Sequence, residues 1–168
     1  MTTAPGLELR EIHLSDPLVR PLLDELATEY RTRYPELRRA GVNELDRYPA
    51  EEFAPPHGAL LLLLEHGEPV AGGAYRRYDA HTAELKRIWT HSAHRRRGLA
   101  RRIVGELEAS AARRGYTRIH LTTGPRQPEA RALYLAAGYT ALFDLAADPE
   151  TIGPLPFGKS LTTTVRKG

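Results

Sequence analysis

The sequence predicts an α/β fold: a mixed central sheet of about seven strands flanked by about four helices, in the order β-αα-βββ-α-β-α-β-β. Three observations predict it. Short segments that alternate apolar and polar residues take turns with segments whose apolar residues recur at helical spacing. Gly and Pro fall at the joins between them. The element order, with three strands in a row between helical segments, indicates one domain over residues 1–168 around a mixed sheet.

LELREIHL, 7–14, alternates and reads as the first strand. Asp16 and Pro17 then form a helix opening, Asp as N-cap and Pro in the first turn. Leu18, Leu22, Leu23, Leu26, Ala27 and Tyr30 make the apolar stripe of that helix, which Pro35 interrupts. A weaker helix is expected over 36–47, and Pro49, Pro55 and Pro56 mark loop. ALLLLLEHGEPVAGGAYRRYDAHTAELKRIWTH reads as three strands with turns at HGEP and DAHT. In the next helix Leu99, Ala100, Ile103, Val104, Leu107 and Ala111 share a face, and Gly115 after Arg113 and Arg114 ends it. YTRIHLTT, 116–123, is a strand and GPRQP a loop. Pro128 opens a short helix through Ala137, stopped by Gly138. YTALFDL and SLTTTVR are the last two strands, separated by DLAADPETIGPLPFG, a Pro- and Gly-rich loop.

No apolar run approaches the roughly 20 residues that cross a bilayer, so no membrane partner is expected. LLLLL at 60–64 reads instead as a buried strand. MTTAPGLELREI lacks a basic segment followed by an apolar one, so no signal peptide is expected. The chain has no cysteine, which rules out disulfides, Cys-zinc sites and a cysteine acyl-enzyme, and fits a cytoplasmic location. His91 and His94 have i,i+3 spacing but no acidic residue nearby, so no metal is expected.

The charge is unevenly spread. Residues 1–75 carry seven basic and thirteen acidic residues, whereas 76–131 carry fourteen basic and five acidic. The basic excess centres on HRRRGLARR, 94–102, at the start of a predicted helix. Cations there oppose the helix dipole, at about 0.3–1 kcal/mol each, and nothing from Arg95 to Gly98 can cap the free N–H groups. A bound anion resolves both conflicts: its oxygens take the N–H groups and the guanidiniums become ligands. Gly98 lets a phosphate approach the backbone, and Ala100 keeps that approach narrow. A solvated arginine-rich surface is the plainer alternative.

RRRGLA followed by ARALYLAAGY resembles the GNAT (Gcn5-related N-acetyltransferase) superfamily. Arg95 to Ala100 match its phosphate-binding pattern, Arg/Gln-x-x-Gly-x-Gly/Ala, between a strand and a helix. Ala130, Leu133, Tyr134, Gly138 and Tyr139 match its later pattern, A-x-x-L-Y-x-x-x-G-F/Y. The resemblance covers about residues 58–143. It departs from the family at Gln127, where many members have Asn, and at Ser92 or Ala93, where Pro is frequent.

The resemblance implies an acetyl-CoA-dependent N-acetyltransferase. The pyrophosphate of the cofactor is expected on backbone N–H groups from Arg96 through Arg101, across Arg97, Gly98, Leu99 and Ala100, with arginine side chains such as Arg95 near its phosphates. Ile88, Trp89 and Thr90 are expected along the pantetheine arm, with Gln127 offering an amide. Tyr134 is the expected acid for the leaving sulfur, or else a packed tyrosine. Glu84, which opens the strand ELKRIWT, is the expected base, or else an ion-pair partner of Lys86 or Arg87. His91, His94 and His120 are weaker candidates. Lacking cysteine, the chain is expected to transfer acetyl directly in a ternary complex.

The acceptor pocket implied by the family draws on the acidic N-terminal third, with Tyr30, Tyr34, Tyr48 and Phe53 as candidate lining. A small amine or amino acid is the first expectation, a protein N-terminus or lysine the second. A non-catalytic acyl-CoA-binding module and a nucleic-acid-binding module are rivals. No nucleic-acid partner is expected, because aromatics in the basic segment do not interleave with arginines as a base-stacking platform requires. Strand edges leave a homodimer open.

Overall fold

A computed structural model of the chain describes residues 6–40, 45 and 47–161. One seven-stranded sheet organises it, in the order β1-β2-β3-β4-β5-β7-β6. β1 is Leu7–Glu11, β2 Ala59–Glu65, β3 Glu68–Arg77 and β4 Thr82–Thr90. β5 is Arg118–Thr123, β6 Thr140–Ala141 and β7 Leu155–Ser160. β4 and β5 pair in parallel and all other neighbours are antiparallel. The helices are α1 (Arg20–Arg33), α2 (Pro35–Arg39), α3 (Leu99–Arg113), α4 (Pro128–Ala136) and the one-turn α5 (Pro149–Ile152). Among the described residues no helix is long and apolar enough to cross a membrane.

The leucine run explains itself in three dimensions. Side chains alternate across a strand, so Leu61 and Leu63 join the core under α3 while Leu60, Leu62 and Leu64 join the core under α1. β2 is thus buried on both faces. In α3, Ile103, Val104, Leu107 and Ala111 point into the first of these cores; in α1, Leu22 and Leu26 point into the second. Asp16 caps the chain into α1 through a short 3-10 turn, accepting from the Leu18 N–H at 2.9 Å.

Two local features shape the centre of the sheet. β4 and β5 are paired only over Thr82–Arg118, Ala83–Ile119 and Glu84–His120; beyond that point they part. β4 also carries a bulge. Ala74 faces Lys86 and Gly72 faces Trp89, so two steps on β3 oppose three on β4, and Arg87 takes φ +60°. Gly73 sits opposite the bulge; a Cβ there would lie 2.7 Å from Ile88 Cδ1 and 2.9 Å from Leu107 Cδ1. Its missing side chain lets α3 and the bulged strand close on the sheet.

Several elements differ from the sequence expectations. The last described strand is β7 at Leu155–Ser160, inside the segment expected as loop. The expected SLTTTVR strand falls largely on 162–168, outside the described residues. Pro156 argued against a strand, yet the structure accommodates it. Its carbonyl accepts from Leu142 N–H just past the end of β6, so no β6 partner waits for the absent N–H. β6 itself is two residues rather than seven, because Asp144 accepts from the Ala146 N–H at 2.9 Å and turns the chain. α2 stops at Arg39, and most of the rest of the expected 36–47 helix lies outside the described residues. α5 was hidden in the same expected loop, capped by Asp148.

Candidate active site

The start of α3 bears out the electrostatic oddity of HRRRGLARR. Gly98 is the N-cap residue, left-handed at φ +73°, and no side chain caps the helix. Arg96 is also left-handed, at φ +65°. A Cβ on Gly98 would meet nothing within 4 Å, so the glycine answers to the backbone conformation and not to crowding. The N–H groups at this end have no partner within the helix, and they open on a cavity whose wall includes Arg95, Arg96 and Arg101. Free donors, a positive dipole end and three guanidiniums together fit a phosphate chain.

That cavity measures about 830 Å³. From Gly98 and Ala100 it runs into the gap where β4 and β5 part, bounded by Ile88, Trp89 and Thr90 on one side and Thr122 and Thr123 on the other. Tyr134 of α4 and Tyr30 of α1 also line it, and Arg47 and Tyr48 lie in its wall with Lys86. Leu99, Tyr34 and Gln127 complete the predicted residues that reach the wall.

Tyr134 is 6% exposed and packs edge-on against Tyr139 and tilted against Phe157. No hydrogen bond from its hydroxyl is made to any described residue. Burial pushes this phenol well above its ordinary range, with a smaller contribution from Tyr30. It therefore stays protonated, able to donate.

Gln127 is engaged on three sides. Its Oε1 accepts from Gly124 N–H at 3.2 Å and from the Tyr34 hydroxyl at 3.3 Å, and its Nε2 donates to Glu29 at 2.8 Å. Gly124 is tight against Tyr34: a Cβ would fall on the tyrosine hydroxyl. Burial raises the Tyr34 phenol, opposed by the Arg126 N–H that donates to it at 3.1 Å.

Arg97, Glu84 and Phe53, all predicted for the site, stand apart from the wall. Arg97 turns away and holds Glu65 with two bonds, of 3.0 and 2.7 Å. Glu84 is 5% exposed, below the point where β4 and β5 part. Arg76 donates to it at 2.9 Å and Lys86 Nζ lies 3.7 Å away. Its neighbour across the strands is His120, which stacks on Tyr78 at 4.4 Å and is held below its ordinary range, mainly by burial. His91 and His94 serve the loop itself: His91 accepts from Ala93 N–H, and His94 contacts Arg97. Tyr48 lines the cavity, but Phe53 is buried in the core under Arg87.

The sequence reading missed Glu25. This α1 carboxylate accepts from Trp89 Nε1 at 2.9 Å, from Ser92 N–H at 2.9 Å and from Ser92 Oγ at 2.6 Å. Burial alone would raise its pKa; the bonds from Ser92 and Trp89 outweigh that and hold it below the carboxylate range. Glu25 thereby fastens the end of β4, and the loop that leads to Gly98, onto α1. It sits between the core residues Leu22 and Leu26, and nothing in the local pattern announces a partner at 92.

Residues 21–139 match the profile described as the acetyltransferase (GNAT) family. The uncharacterized N-acetyltransferase YsnE of Bacillus subtilis (strain 168) is 32% identical over 92 residues, a match spanning 51% of this chain and 61% of that protein. A protein assigned as an acyl-CoA N-acyltransferase from Klebsiella pneumoniae subsp. pneumoniae MGH 78578 superposes with a TM-score of 0.71 at 23% identity, covering 95% of this chain and 100% of that one. An acetyltransferase of Streptococcus agalactiae 2603 gives 0.65 at 20% identity, over 94% and 99%. An aminoglycoside 6'-N-acetyltransferase complexed with coenzyme A gives 0.64 at 18% identity, over 92% and 97%. These solved structures share the fold, and the profile match over most of the sequence places the chain in the GNAT acetyltransferase family.

Proposed function

We propose that the protein is an N-acetyltransferase that moves the acetyl group of acetyl-CoA to the primary amine of a small molecule. One observation carries this reading: a single cavity joins the uncapped start of α3 to Tyr134 through the gap between β4 and β5. The aminoglycoside 6'-N-acetyltransferase among the structural neighbours supports a small-molecule acceptor.

Backbone N–H groups around Gly98, with Arg95, Arg96 and Arg101, hold the phosphates. Acetyl-CoA supplies the acyl group as an activated thioester. The exposed edge of β4 over Ile88–Thr90, no longer paired to β5, offers hydrogen bonds along the arm and toward the carbonyl oxygen. The amine attacks as the free base. The C–N bond forms, the C–S bond breaks, the nitrogen loses a proton to solvent, and Tyr134 donates one to the sulfur before regaining it from water. The lack of cysteine, which removes a cysteine acyl-enzyme, supports direct transfer in a ternary complex. Glu84, engaged by Arg76 outside the cavity wall, holds the apex of the gap together instead of taking the proton.

Calorimetry with acetyl-CoA, followed by thiol release across an amine panel, tests the reading. Heat of binding and amine-dependent release are expected. Absence of binding by any coenzyme A thioester overturns it.

A further inference from the structure

The chain leaves the sheet at His91, whose N–H donates to the Val70 carbonyl at 2.9 Å, and enters α3 after Gly98. Its own backbone does little to hold it between these points. The His94 N–H closes one turn on the His91 carbonyl at 2.8 Å. Among the described residues, the next backbone N–H with a backbone partner is that of Arg102, which donates to the Gly98 carbonyl at 3.1 Å. Arg96 and Gly98 are both left-handed, and the guanidiniums of Arg95, Arg96 and Arg97 carry like charge. Without outside support, such a segment has little to keep its N–H groups aimed at a phosphate.

Two carboxylates from elsewhere in the fold supply that support. Glu65 takes Arg97 with two bonds, but through a long, exposed side chain that tolerates movement of the main chain. Glu25 grips the main chain itself. Its Oε1 accepts from the Ser92 N–H and from the Trp89 indole N–H, both at 2.9 Å, and its Oε2 accepts from the Ser92 hydroxyl at 2.6 Å. The anchor points are firm: Leu22 and Leu26, on either side of Glu25 along α1, are buried in one core with the Trp89 ring.

The residues that Glu25 joins belong to different parts of the cavity. Trp89 lies in the stretch of β4 that has parted from β5 and lines the gap. Ser92 begins the loop that ends at the uncapped start of α3. One carboxylate thus fixes the strand edge and the loop relative to each other and to α1. Charge gives it no reason to be there, because a carboxylate near an anion site opposes the anion. Geometry does.

We propose that Glu25 is a positioning residue for coenzyme binding: it holds the loop from Ser92 to Gly98 in place against the Ile88–Thr90 edge, so that the phosphates and the arm of acetyl-CoA meet a site already assembled. The proposal rests on the coenzyme reading of this cavity and adds a residue that is not part of its wall. Preorganisation acts on affinity. When only a fraction of the protein has the loop in place, the apparent Kd rises by the inverse of that fraction. Once acetyl-CoA is saturating, the loop is in place and the chemical step proceeds as before.

Calorimetry with coenzyme A on the full chain separates tether from charge. Glu25→Ala removes both. Glu25→Gln removes the charge but keeps an oxygen for the two N–H groups and an amide for the Ser92 hydroxyl. Glu25→Ala is expected to weaken coenzyme A about tenfold, as when one molecule in ten keeps the loop in place, and Glu25→Gln to stay within about threefold of wild type. The KM for acetyl-CoA should follow the Kd, with kcat at saturation within about twofold of wild type. Ser92→Ala, at an exposed position, loses only the 2.6 Å bond. It is expected to weaken coenzyme A about threefold with Tm nearly unchanged, and to add nothing when combined with Glu25→Ala. Trp89 is the only tryptophan in the chain, so its indole N–H gives one NMR signal. That signal should move upfield in Glu25→Ala, which frees the N–H from a carboxylate, and stay in place in Ser92→Ala.

Unchanged or tighter binding in Glu25→Ala overturns the proposal, since loss of a negative charge alone favours an anion. So does Glu25→Gln binding no better than Glu25→Ala, a fall in kcat at unchanged Kd, or an indole signal indifferent to the alanine. Should Glu25→Ala fail to fold, Ser92→Ala decides alone, and wild-type affinity there overturns the tether. Coenzyme A binding with the expected order of variants, but no amine-dependent thiol release, leaves Glu25 in its role and sinks the transferase reading. Normal release with equal affinities in all variants does the opposite.

Discussion

Arg33 and Arg126 each donate a hydrogen bond to the other's backbone carbonyl, both at 2.7 Å. The exchange ties the end of α1 to the loop before α4, across the cavity mouth. Arg126 adds bonds to Glu36 and Glu150 and lies 5.4 Å over the Tyr34 ring, so one side chain connects α2, α5 and the loop. The pair is open to solvent, and its worth is in positioning more than in stability. Arg126→Ala is expected to lower Tm only slightly while raising the acceptor KM by about fivefold, as a weak ion-pair network would. High salt is expected to have a similar effect on the wild-type protein. An unchanged KM, measured by steady-state thiol release, detaches the latch from the site.

Gly98 separates shape from charge. Its φ of +73° strains any L residue, at about 1–2 kcal/mol, while the space beside it is open. Gly98→Ala and Gly98→Glu should therefore lose similar stability. Only the glutamate brings a negative charge to the start of α3, where phosphates are expected. Thermal melts are expected to place the two variants within a few degrees of each other, and calorimetry to find acetyl-CoA binding weakened by alanine and abolished by glutamate. Equal affinities would move the phosphates elsewhere.

Tyr134→Phe removes a hydroxyl that bonds to no described residue, so packing against Tyr139 and Phe157 survives. Turnover is expected to fall by about 100-fold, the low end for a lost general acid, with acetyl-CoA affinity and Tm nearly unchanged. Because burial raises this phenol, the wild-type rate should show no alkaline limb from Tyr134 near pH 10. A variant with full turnover makes the tyrosine purely structural.

Four phenols, Tyr34, Tyr116, Tyr134 and Tyr139, are all raised, chiefly by burial. In the unfolded chain they release protons near pH 10; in the folded chain they keep them. Above that pH the unfolded state binds fewer protons, so stability falls as pH rises. Tm is expected to be steady from pH 8 to about 10 and then to drop. Tyr139→Phe loses the bond to Glu108 at 2.7 Å, so it starts lower, but its drop above pH 10 is shallower. Parallel profiles for variant and wild type would remove Tyr139 from the effect.

Local signals carried far in the sequence, and long-range ones did not. The Leu60–Leu64 run, the capping pair Asp16 and Pro17, and the uncapped arginine-rich start of α3 each depend on neighbours within a few residues, and the structure realises all three. Tyr134 was legible only through a family pattern, since an isolated buried tyrosine has no distinguishing neighbours. Glu25 meets Ser92 across 67 positions, and Arg33 meets Arg126 across 93. No periodicity encodes such pairs. β7 was hidden for a different reason: Pro154, Pro156 and Gly158 are loop residues by propensity, and only the ending of β6 beside Pro156 makes a strand tolerable there.

Glu84 gives the sharpest contrast between a structural and a catalytic carboxylate. It is almost fully buried, receives Arg76 at 2.9 Å and sits where β4 and β5 separate. Arg76 also holds Glu52, so a glutamine at 84 leaves the guanidinium paired while removing one charge from a buried network. The expected cost is about 1–3 kcal/mol, that of a weakened charge-assisted hydrogen bond. A structural role predicts that Glu84→Gln lowers Tm and leaves the pH dependence of kcat in place. A base predicts the reverse: a near-normal Tm, with the rate falling most at low pH, where few acceptor amines are neutral. Arg76→Lys discriminates further, because it keeps the charge beside Glu84 but loses the fork that binds two carboxylates. It should reproduce the stability loss of Glu84→Gln with the pH profile intact. An acid-side shift of the rate profile in Glu84→Gln alone would return the proton to that carboxylate and give the cavity a base from below its wall.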